Sequence, residues 1–202
     1  MPAKPASGPA EIARRLKESG RVVASTAKQA PLLDEIARTL IAAFRNGNKI
    51  LTFGNGGSSC DATNFADELV GRYQRNRPPL PALSLAVNTA DLTSIANDFG
   101  YDKVFARQLE AHAKPGDIAV AISTSGNSPN VLAAVAAAKA LGLTVVGLSG
   151  RGGGKLAKAA DLCVRVPSDS TAHVQEAHIA IIQVWCGLIE GALFPDHPKA
   201  HS

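Results

Sequence analysis

The sequence has few cysteines, no long apolar run and no dense cluster of charge, and each shortage excludes a class of protein. Three cysteines, Cys60, Cys163 and Cys186, show neither the paired spacing of a metal site nor a disulfide framework, which fits a reducing cytoplasm. The N-terminus lacks the hydrophobic core of a signal peptide, and we expect no membrane span. Basic residues are scattered, and their densest stretch, 72–77, is too short to indicate nucleic-acid binding.

What the chain does have is the composition of one globular domain. Of its 202 residues, 46% are apolar and 19% are charged, which provides enough apolar material for a core. The stretch 1–9 contains three prolines and is predicted to form a disordered arm. We expect one domain over 10–194, which includes the N-terminal helices, and a short polar tail over 195–202.

Short apolar runs alternate with helical patterns along most of the chain, which predicts an α/β fold. Strands are expected near 49–53, 82–87, 117–122, 144–149 and 161–166. Helices are expected near 58–72, 89–99, 101–112, 130–141, 154–159 and 171–194. Two further helices, over 11–27 and 31–45, precede the first strand and either pack on the core or form a partner interface. Such alternation implies a parallel sheet with helices on both faces and ligand loops at the carboxyl ends of its strands.

The first strand leads into Gly54-Asn-Gly-Gly-Ser58, the stretch around which the chain is organised. Its three glycines permit a tight turn and a close approach of the backbone to a ligand, and Ser58 can cap the helix that follows. Free N–H groups at a helix start bind anions. The spacing matches neither a Walker loop nor a dinucleotide-binding loop, so this turn alone is equally compatible with a simple corner.

A second loop repeats this design after the third strand, at Ser123-Thr-Ser-Gly-Asn-Ser-Pro129. Ser123, Thr124, Ser125 and Ser128 place four hydroxyls beside a helix N-terminus, and the proline suits the first helical position. Neutral donors in this number predict the binding of a phosphate monoester. The competing interpretation is a serine-rich helix cap, but the presence of two such loops favours phosphate.

Four motifs together give the chain a specific resemblance to a known family: Gly54-Asn-Gly-Gly-Ser58, Asn97-Asp98, Ser123-Thr-Ser-Gly-Asn-Ser128 and Gln175-Glu176. From Leu33 to Phe194 the chain resembles the phosphoheptose isomerase branch of the sugar isomerase (SIS) domain family. The resemblance implies a single SIS domain, with a five-stranded parallel sheet flanked by helices, that assembles as a homotetramer. It also implies isomerisation of sedoheptulose 7-phosphate to an aldoheptose phosphate, which feeds heptose synthesis.

The resemblance also implies roles for single residues. Glu68 corresponds to the catalytic glutamate of the family. Gln183 stands where the family has a histidine that takes part in acid–base chemistry, and it remains our second catalytic candidate. Contacts with the substrate are implied for Asn55, Gly56, Gly57, Ser58, Arg72, Asn97, Asp98, Ser123, Thr124, Ser125, Ser128 and Gln175.

Two positions depart from the family pattern, and both belong to its zinc site. Asn64 stands in place of a histidine one turn before Glu68, and Gln183 replaces a second histidine. The remaining set consists of Asn64, Glu68, Gln175 and Gln183. These side chains offer only carboxylate and amide groups, whereas zinc prefers histidine and cysteine ligands. We therefore predict that this site does not hold zinc, and we expect no other cofactor.

Two histidines could stand in for the missing pair. His178 lies three residues after Gln175, and His173 lies near the start of the same helix. We expect the simpler alternatives, in which His178 faces a subunit interface and His173 is a solvated loop histidine. An amide has no pKa near neutrality, so Gln183 can polarise a carbonyl but cannot relay a proton. Glu68 would then move the carbon-bound proton alone.

Three functions remain open at this point. The first is a cytoplasmic aldose–ketose isomerase for a seven-carbon sugar phosphate, with Glu68 as the base. The second is a non-catalytic platform that resembles the DnaA initiator-associating protein of the same family and binds a DnaA-like partner. A Leu-Phe-Pro segment at 193–195 resembles the C-terminal end of that protein. The third is an isomerase of another phosphosugar. The retained carboxylate favours the first.

Overall fold

The computed structural model describes residues 8–199 of the chain. Its strands are Ile50–Gly54 (β1), Ala82–Ser84 (β2), Ile118–Ser123 (β3), Thr144–Ser149 (β4) and Leu162–Arg165 (β5). Its helices are Pro9–Ser25 (α1), Ala30–Arg45 (α2), Gly57–Val70 (α3), Thr89–Phe99 (α4), Ala106–His112 (α5), Pro129–Ala140 (α6), Leu156–Ala159 (α7) and Thr171–Leu193 (α8). Most of the predicted disordered arm and the last three residues of the predicted tail lie outside the described residues.

The sheet is parallel throughout and has the strand order β2-β1-β3-β4-β5. Strand β3 lies at its centre and is buried along its whole length. Its side chains alternate between two cores: Val120 and Ile122 belong to the core that includes residues of α2, α3 and α8, whereas Ala119 and Ala121 belong to the core that includes residues of α5 and α6. The predicted five-stranded parallel sheet with helices on both faces is confirmed.

Two elements differ from the prediction by more than one or two residues at an end. The single helix expected over 101–112 divides into a 3-10 turn, Tyr101–Lys103, and helix α5, because Val104 and Phe105 at the break are both packed into the core. The strand expected over 82–87 ends at Ser84. Its hydroxyl accepts a hydrogen bond from the N–H of Ala86, and this local turn stops the edge strand early.

The N-terminal helices differ in how they contact the domain. On α2, Ile36 and Leu40 are fully buried, and Leu33 accepts a hydrogen bond of 3.0 Å from the indole of Trp185. Helix α2 therefore packs on the core, one of the two alternatives left open by its sequence. Helix α1 lies against α8 but leaves Ile12 and Leu16 exposed, at 59% and 68%.

Helix α8 corrects the expectation that no segment is long and apolar enough to span a membrane. Over Thr171–Leu193 its length and composition meet that criterion. Its inner face carries Ile182, Trp185 and Ile189, which are all fully buried against the rest of the domain. The core helix of a globular domain meets the same criterion, and the packing of α8 accounts for its apolar composition.

A buried ion pair joins the segment that follows α3 to the far end of α8. Arg77 and Glu190 meet at 3.0 Å, and both side chains are almost fully buried. Glu190 also accepts hydrogen bonds from the backbone N–H groups of 73–75, and Arg77 donates to the carbonyls of Glu68 and Leu69. Burial alone would raise the pKa of Glu190, but these hydrogen bonds and Arg77 hold it below its usual value. The pair fixes where α3 ends against α8.

Replacement of one member of this pair should destabilise the protein strongly. For Arg77→Met we expect a loss of about 3 to 5 kcal/mol in the free energy of unfolding, because Glu190 is left buried without its counterion. Urea denaturation at pH 7 measures this loss. Lys139→Met removes the half-exposed pair with Asp161 and serves as the control, with an expected loss below about 1 kcal/mol. Equal losses for the two variants would contradict the structural role given to Arg77.

Candidate functional site

The two glycine- and serine-rich loops lie side by side where the strand order reverses. Strands β1 and β3 are neighbours, with Gly54 in register with Ile122, and the chain continues from them to opposite edges of the sheet. In open parallel sheets, ligands bind in the crevice outside the carboxyl ends of the strands at such a point. The fold therefore brings both predicted loops to one crevice.

The first loop requires glycine at two positions. A Cβ atom on Gly54 would lie 2.8 Å from the carbonyl oxygens of Ile122 and Ser58, and Gly56 has a φ of +55°. Gly56 also precedes the first residue of α3, so the prediction that Ser58 caps this helix is wrong. Ser58 lies inside the first turn and is buried. Its N–H donates to the carbonyl of Asn55 at 3.0 Å.

The second loop is held by contacts among its own hydroxyls and by the loop after β4. The hydroxyls of Ser123 and Ser128 lie 3.0 Å apart, and Ser125 accepts a hydrogen bond from the N–H of Asn127. Gly126 has a φ of +66°, and a Cβ atom there would overlap the carbonyl of Gly153. This packing fixes the orientation of the hydroxyls before any ligand arrives.

Together the loops line an open cavity of about 260 Å³ at the start of three helices. Its lining consists of Asn55, Gly56, Gly57, Ser58, Ile122, Ser123, Thr124, Ser128, Thr171 and Gln175. The first turns of α3 and α8 and the residue before α6 all contribute to it. Helix N-termini carry a partial positive charge and free N–H groups. No lysine or arginine is among these lining residues, so the cavity suits an anion bound by dipoles and hydroxyls.

Sequence reasoning missed three residues of this region. Asn130 is buried and exchanges hydrogen bonds of 2.8 Å with Asn55 across the two loops. The hydroxyl of Tyr101 donates to the same Asn55 side chain at 3.2 Å. Thr171 lines the cavity from the start of α8. A polar residue at a helix start is a signal that could have found Asn130 and Thr171, whereas nothing local marks Tyr101.

A second cavity of about 270 Å³ adjoins the first and shares Thr124 and Thr171 with it. Ser125, predicted to bind phosphate, lines this neighbouring space rather than the first. Arg151 lines it as well and lies 3.4 Å from Asp169. The crevice therefore continues along the carboxyl ends of β4 and β5.

The two predicted catalytic residues, Glu68 and Gln183, lie with Asn64 in a separate group, here called the Glu68 cluster. The side-chain nitrogen of Gln183 lies 2.8 Å from the Asn64 amide oxygen and 3.3 Å from Oε1 of Glu68. Gln175, the fourth member of the predicted set, lies instead in the loop cavity, where a Cβ atom on Gly57 would meet it at 2.5 Å. Eight residues of α8 separate the two glutamines, which is about 12 Å along the helix axis. The four side chains of the predicted set, Asn64, Glu68, Gln175 and Gln183, therefore do not meet within one chain.

Three other predicted substrate contacts also lie apart from the loop cavity. Arg72 is exposed beyond the end of α3 and donates to the side chain of Asn76. Asn97 and Asp98 are exposed in the last turn of α4, where they hydrogen-bond to each other at 2.8 Å. None of the three is among the residues that line the cavity.

Residues 16–150 match the model of the SIS domain family. The phosphoheptose isomerase of Rhodospirillum rubrum is 51% identical over 164 residues, which cover 81% of this chain and 87% of that protein. The chain belongs to the phosphoheptose isomerase family.

Solved structures agree with this family assignment. The phosphoheptose isomerase of Neisseria gonorrhoeae superposes with a TM-score of 0.84 at 39% identity, covering 89% of this chain and 97% of that one. The enzyme from Francisella tularensis gives a TM-score of 0.85 at 35% identity, covering 89% and 96%. The predicted resemblance and the predicted SIS fold are confirmed.

The zinc that the resemblance implies does not fit the Glu68 cluster. The amide groups of Asn64 and Gln183 are hydrogen-bonded to each other, and the nitrogen of Gln183 is a donor, which cannot ligate a cation. Within residues 8–199, no group of three or more histidine, cysteine, aspartate or glutamate side chains could hold a metal ion. The chemistry of the available groups therefore disagrees with a zinc site.

Neither histidine replaces the missing pair. His178 was expected at a subunit interface, but it is buried inside the domain, with Nε2 3.2 Å from the carbonyl oxygen of Ser149. Burial lowers its pKa to about 4. His173 lies in the first turn of α8, not in a solvated loop, and pairs with Glu176 at 2.9 Å. Neither contacts the Glu68 cluster.

Buried neutral His178 should make the protein less stable in mild acid. Its folded pKa of about 4 lies below the unfolded value, so between the two the unfolded state binds a proton that the folded state does not. Stability therefore falls as the pH falls through this window, by about 2 kcal/mol from pH 7 to pH 5 for this residue. Urea denaturation of the wild type and His178→Gln at both pH values isolates the effect. An equal loss in both proteins would contradict it.

Proposed function

We propose that the protein interconverts sedoheptulose 7-phosphate and an aldoheptose 7-phosphate. The main support for this proposal is the cavity at three helix starts, which suits an anion. The same chain also has the carboxylate of Glu68. The phosphate binds to Ser123, Thr124 and Ser128 and to the free N–H groups beside them. Asn55, Gly56, Gly57, Ser58 and Gln175 border the sugar end of the same cavity.

The chemistry requires one base and one hydrogen-bond donor. Glu68 removes a proton from C1 of the ketose and returns it to C2 on the same face, while the hydroxyl proton passes from O1 to O2. An enediol lies between these steps, and its developing negative charge needs a donor. Gln183 directs its two N–H groups at Asn64 and Glu68, so it orients the base, and the enediol takes its donor from the loop cavity. We infer that zinc takes no part, because the Glu68 cluster offers no histidine or cysteine ligand for it.

The distance between the cavity and Glu68 supports an oligomeric site. Eleven residues of α3 separate Gly57 from Glu68, which is about 16 Å along the helix. Eight bonds join C1 to the phosphorus of a heptose 7-phosphate, and at about 1.2 Å per bond they span about 10 Å. We propose that the cavity of one chain faces the Glu68 cluster of another within a homotetramer. Exposed apolar side chains beside the cluster, Val70, Val184 and Leu188, suit such an interface.

A location in the cytoplasm is part of the same proposal. Cys60, Cys163 and Cys186 are all unpaired thiols, and α8 is a core helix of the domain.

Turnover of sedoheptulose 7-phosphate and its loss in Glu68→Gln test the activity. We expect kcat to fall by about 10² to 10⁴ in this variant, because the amide cannot accept the carbon-bound proton. Glu110→Gln, on the exposed face of α5, is the matched control and should turn over like the wild type. Turnover that survives Glu68→Gln would contradict the role of Glu68. Turnover of a different phosphosugar alone, or binding to DnaA without turnover, would favour the alternative functions.

Mixed oligomers test whether the site is shared between chains. Glu68→Gln and the double variant Ser123→Ala/Ser128→Ala should each be nearly inactive alone. If serines and carboxylate come from different chains, refolding an equal mixture should restore activity to about a quarter of the wild type, by random pairing of the chains. Light scattering of the wild type should give the mass of a tetramer. An inactive mixture, or a monomer with full activity, would contradict the shared site.

A further inference from the structure

In the Glu68 cluster, one NH₂ group lies between two oxygen acceptors. The Gln183 side-chain nitrogen is 2.8 Å from Oδ1 of Asn64 and 3.3 Å from Oε1 of Glu68. An ionised carboxylate can only accept hydrogen bonds, and an amide NH₂ has two hydrogens to donate. If the Gln183 amide were rotated by 180°, its oxygen would face the Glu68 carboxylate, and two acceptors would meet. The neighbours of Gln183 therefore determine which way its amide points.

We propose that Asn64 is a positioning residue, which holds the Gln183 amide so that its N–H is directed at Glu68. The proposal deepens the isomerase function proposed above and rests on it. Asn64 and Glu68 share one face of α3 at a spacing of four residues, and Gln183 reaches both from α8. With Oε1 bound to this amide, the orientation of the carboxylate is fixed, and Oε2 is the oxygen that exchanges the proton.

The arrangement separates positioning from binding of the substrate. The phosphate is held in the cavity of the serine loop, and Asn64 does not line that cavity. Loss of the Asn64 oxygen should therefore reduce kcat and leave KM unchanged. Helix packing should also persist, because Phe65, Leu69 and Trp185 hold α3 against α8 through buried apolar contacts.

The test compares three substitutions on α3. Asn64→Leu removes the acceptor at similar size, and we expect kcat to fall about tenfold, as for one hydrogen bond to a positioned group. Asn64→Asp keeps an oxygen acceptor at that position but adds a negative charge beside Glu68, and it should retain more of kcat than Asn64→Leu. Thr63→Val, the neighbouring residue on another face, loses its own hydrogen bond to Ser59 and should leave kcat and KM unchanged. All three are measured with sedoheptulose 7-phosphate after treatment with a chelator.

A readout that does not depend on activity accompanies the kinetics. The side-chain ¹H–¹⁵N resonances of Gln183, assigned by their loss in Gln183→Met, should shift in Asn64→Leu and remain in place in Thr63→Val. If the wild type fails to turn over the sugar phosphate, the proposed function fails, but these resonances still decide whether Asn64 holds the amide. Unshifted resonances, or an Asn64→Leu variant with unchanged kcat in an active enzyme, would overturn the proposal. Equal losses of kcat in Asn64→Leu and Asn64→Asp would overturn it as well.

Discussion

Helices α3 and α8 lie side by side in the same direction, and the site depends on this packing. At their starts, Gln175 rests on Gly57, where the absence of a side chain leaves the necessary space. Two turns further on, Gln183 joins Asn64 and Glu68. Near the ends, Glu190 binds the backbone over 73–75 and the side chain of Arg77. If one helix slid along the other, all three sets of contacts would break. The buried ion pair and the geometry of the Glu68 cluster therefore depend on the same helix packing.

The proposed phosphate site in the loop cavity contains no cationic side chain among its lining residues. Three helices of 14, 12 and 23 residues begin beside it, and their N-terminal dipoles supply positive potential where lysine or arginine would otherwise be needed. The hydroxyls of Ser123 and Ser128 are already 3.0 Å apart, so a phosphate meets donors in fixed positions. Fixed neutral donors also hold their ligand without a long side chain that must be ordered first. The proposed binding of a sugar phosphate in this crevice therefore does not need the scattered basic residues of the chain.

Much of the fold and part of the site could be predicted from local patterns. Strand β4 was predicted at its observed bounds, and the two loops were placed at strand ends because glycines and serines interrupt apolar runs there. The predictions that were wrong depended on backbone geometry and on distant contacts, which residue types alone do not show. His178 is buried against β4. Gly56, with its positive φ, is the residue that precedes α3, so Ser58 does not cap this helix. The rise of α8 over eight residues separates Gln175 from Gln183. The roles of the site residues remain predictions.

The sequence by itself determined the alternation of strands and helices, the family, and the chemical nature of each donor and acceptor. These follow from periodicity and residue type, which are local properties. Only the tertiary structure decided which of those groups meet. It placed Asn130 and Tyr101 against Asn55 and paired Gln183 with Asn64. The physical reason is that such contacts join residues 46 to 119 positions apart, and only the order of strands and the packing of helices set their distances.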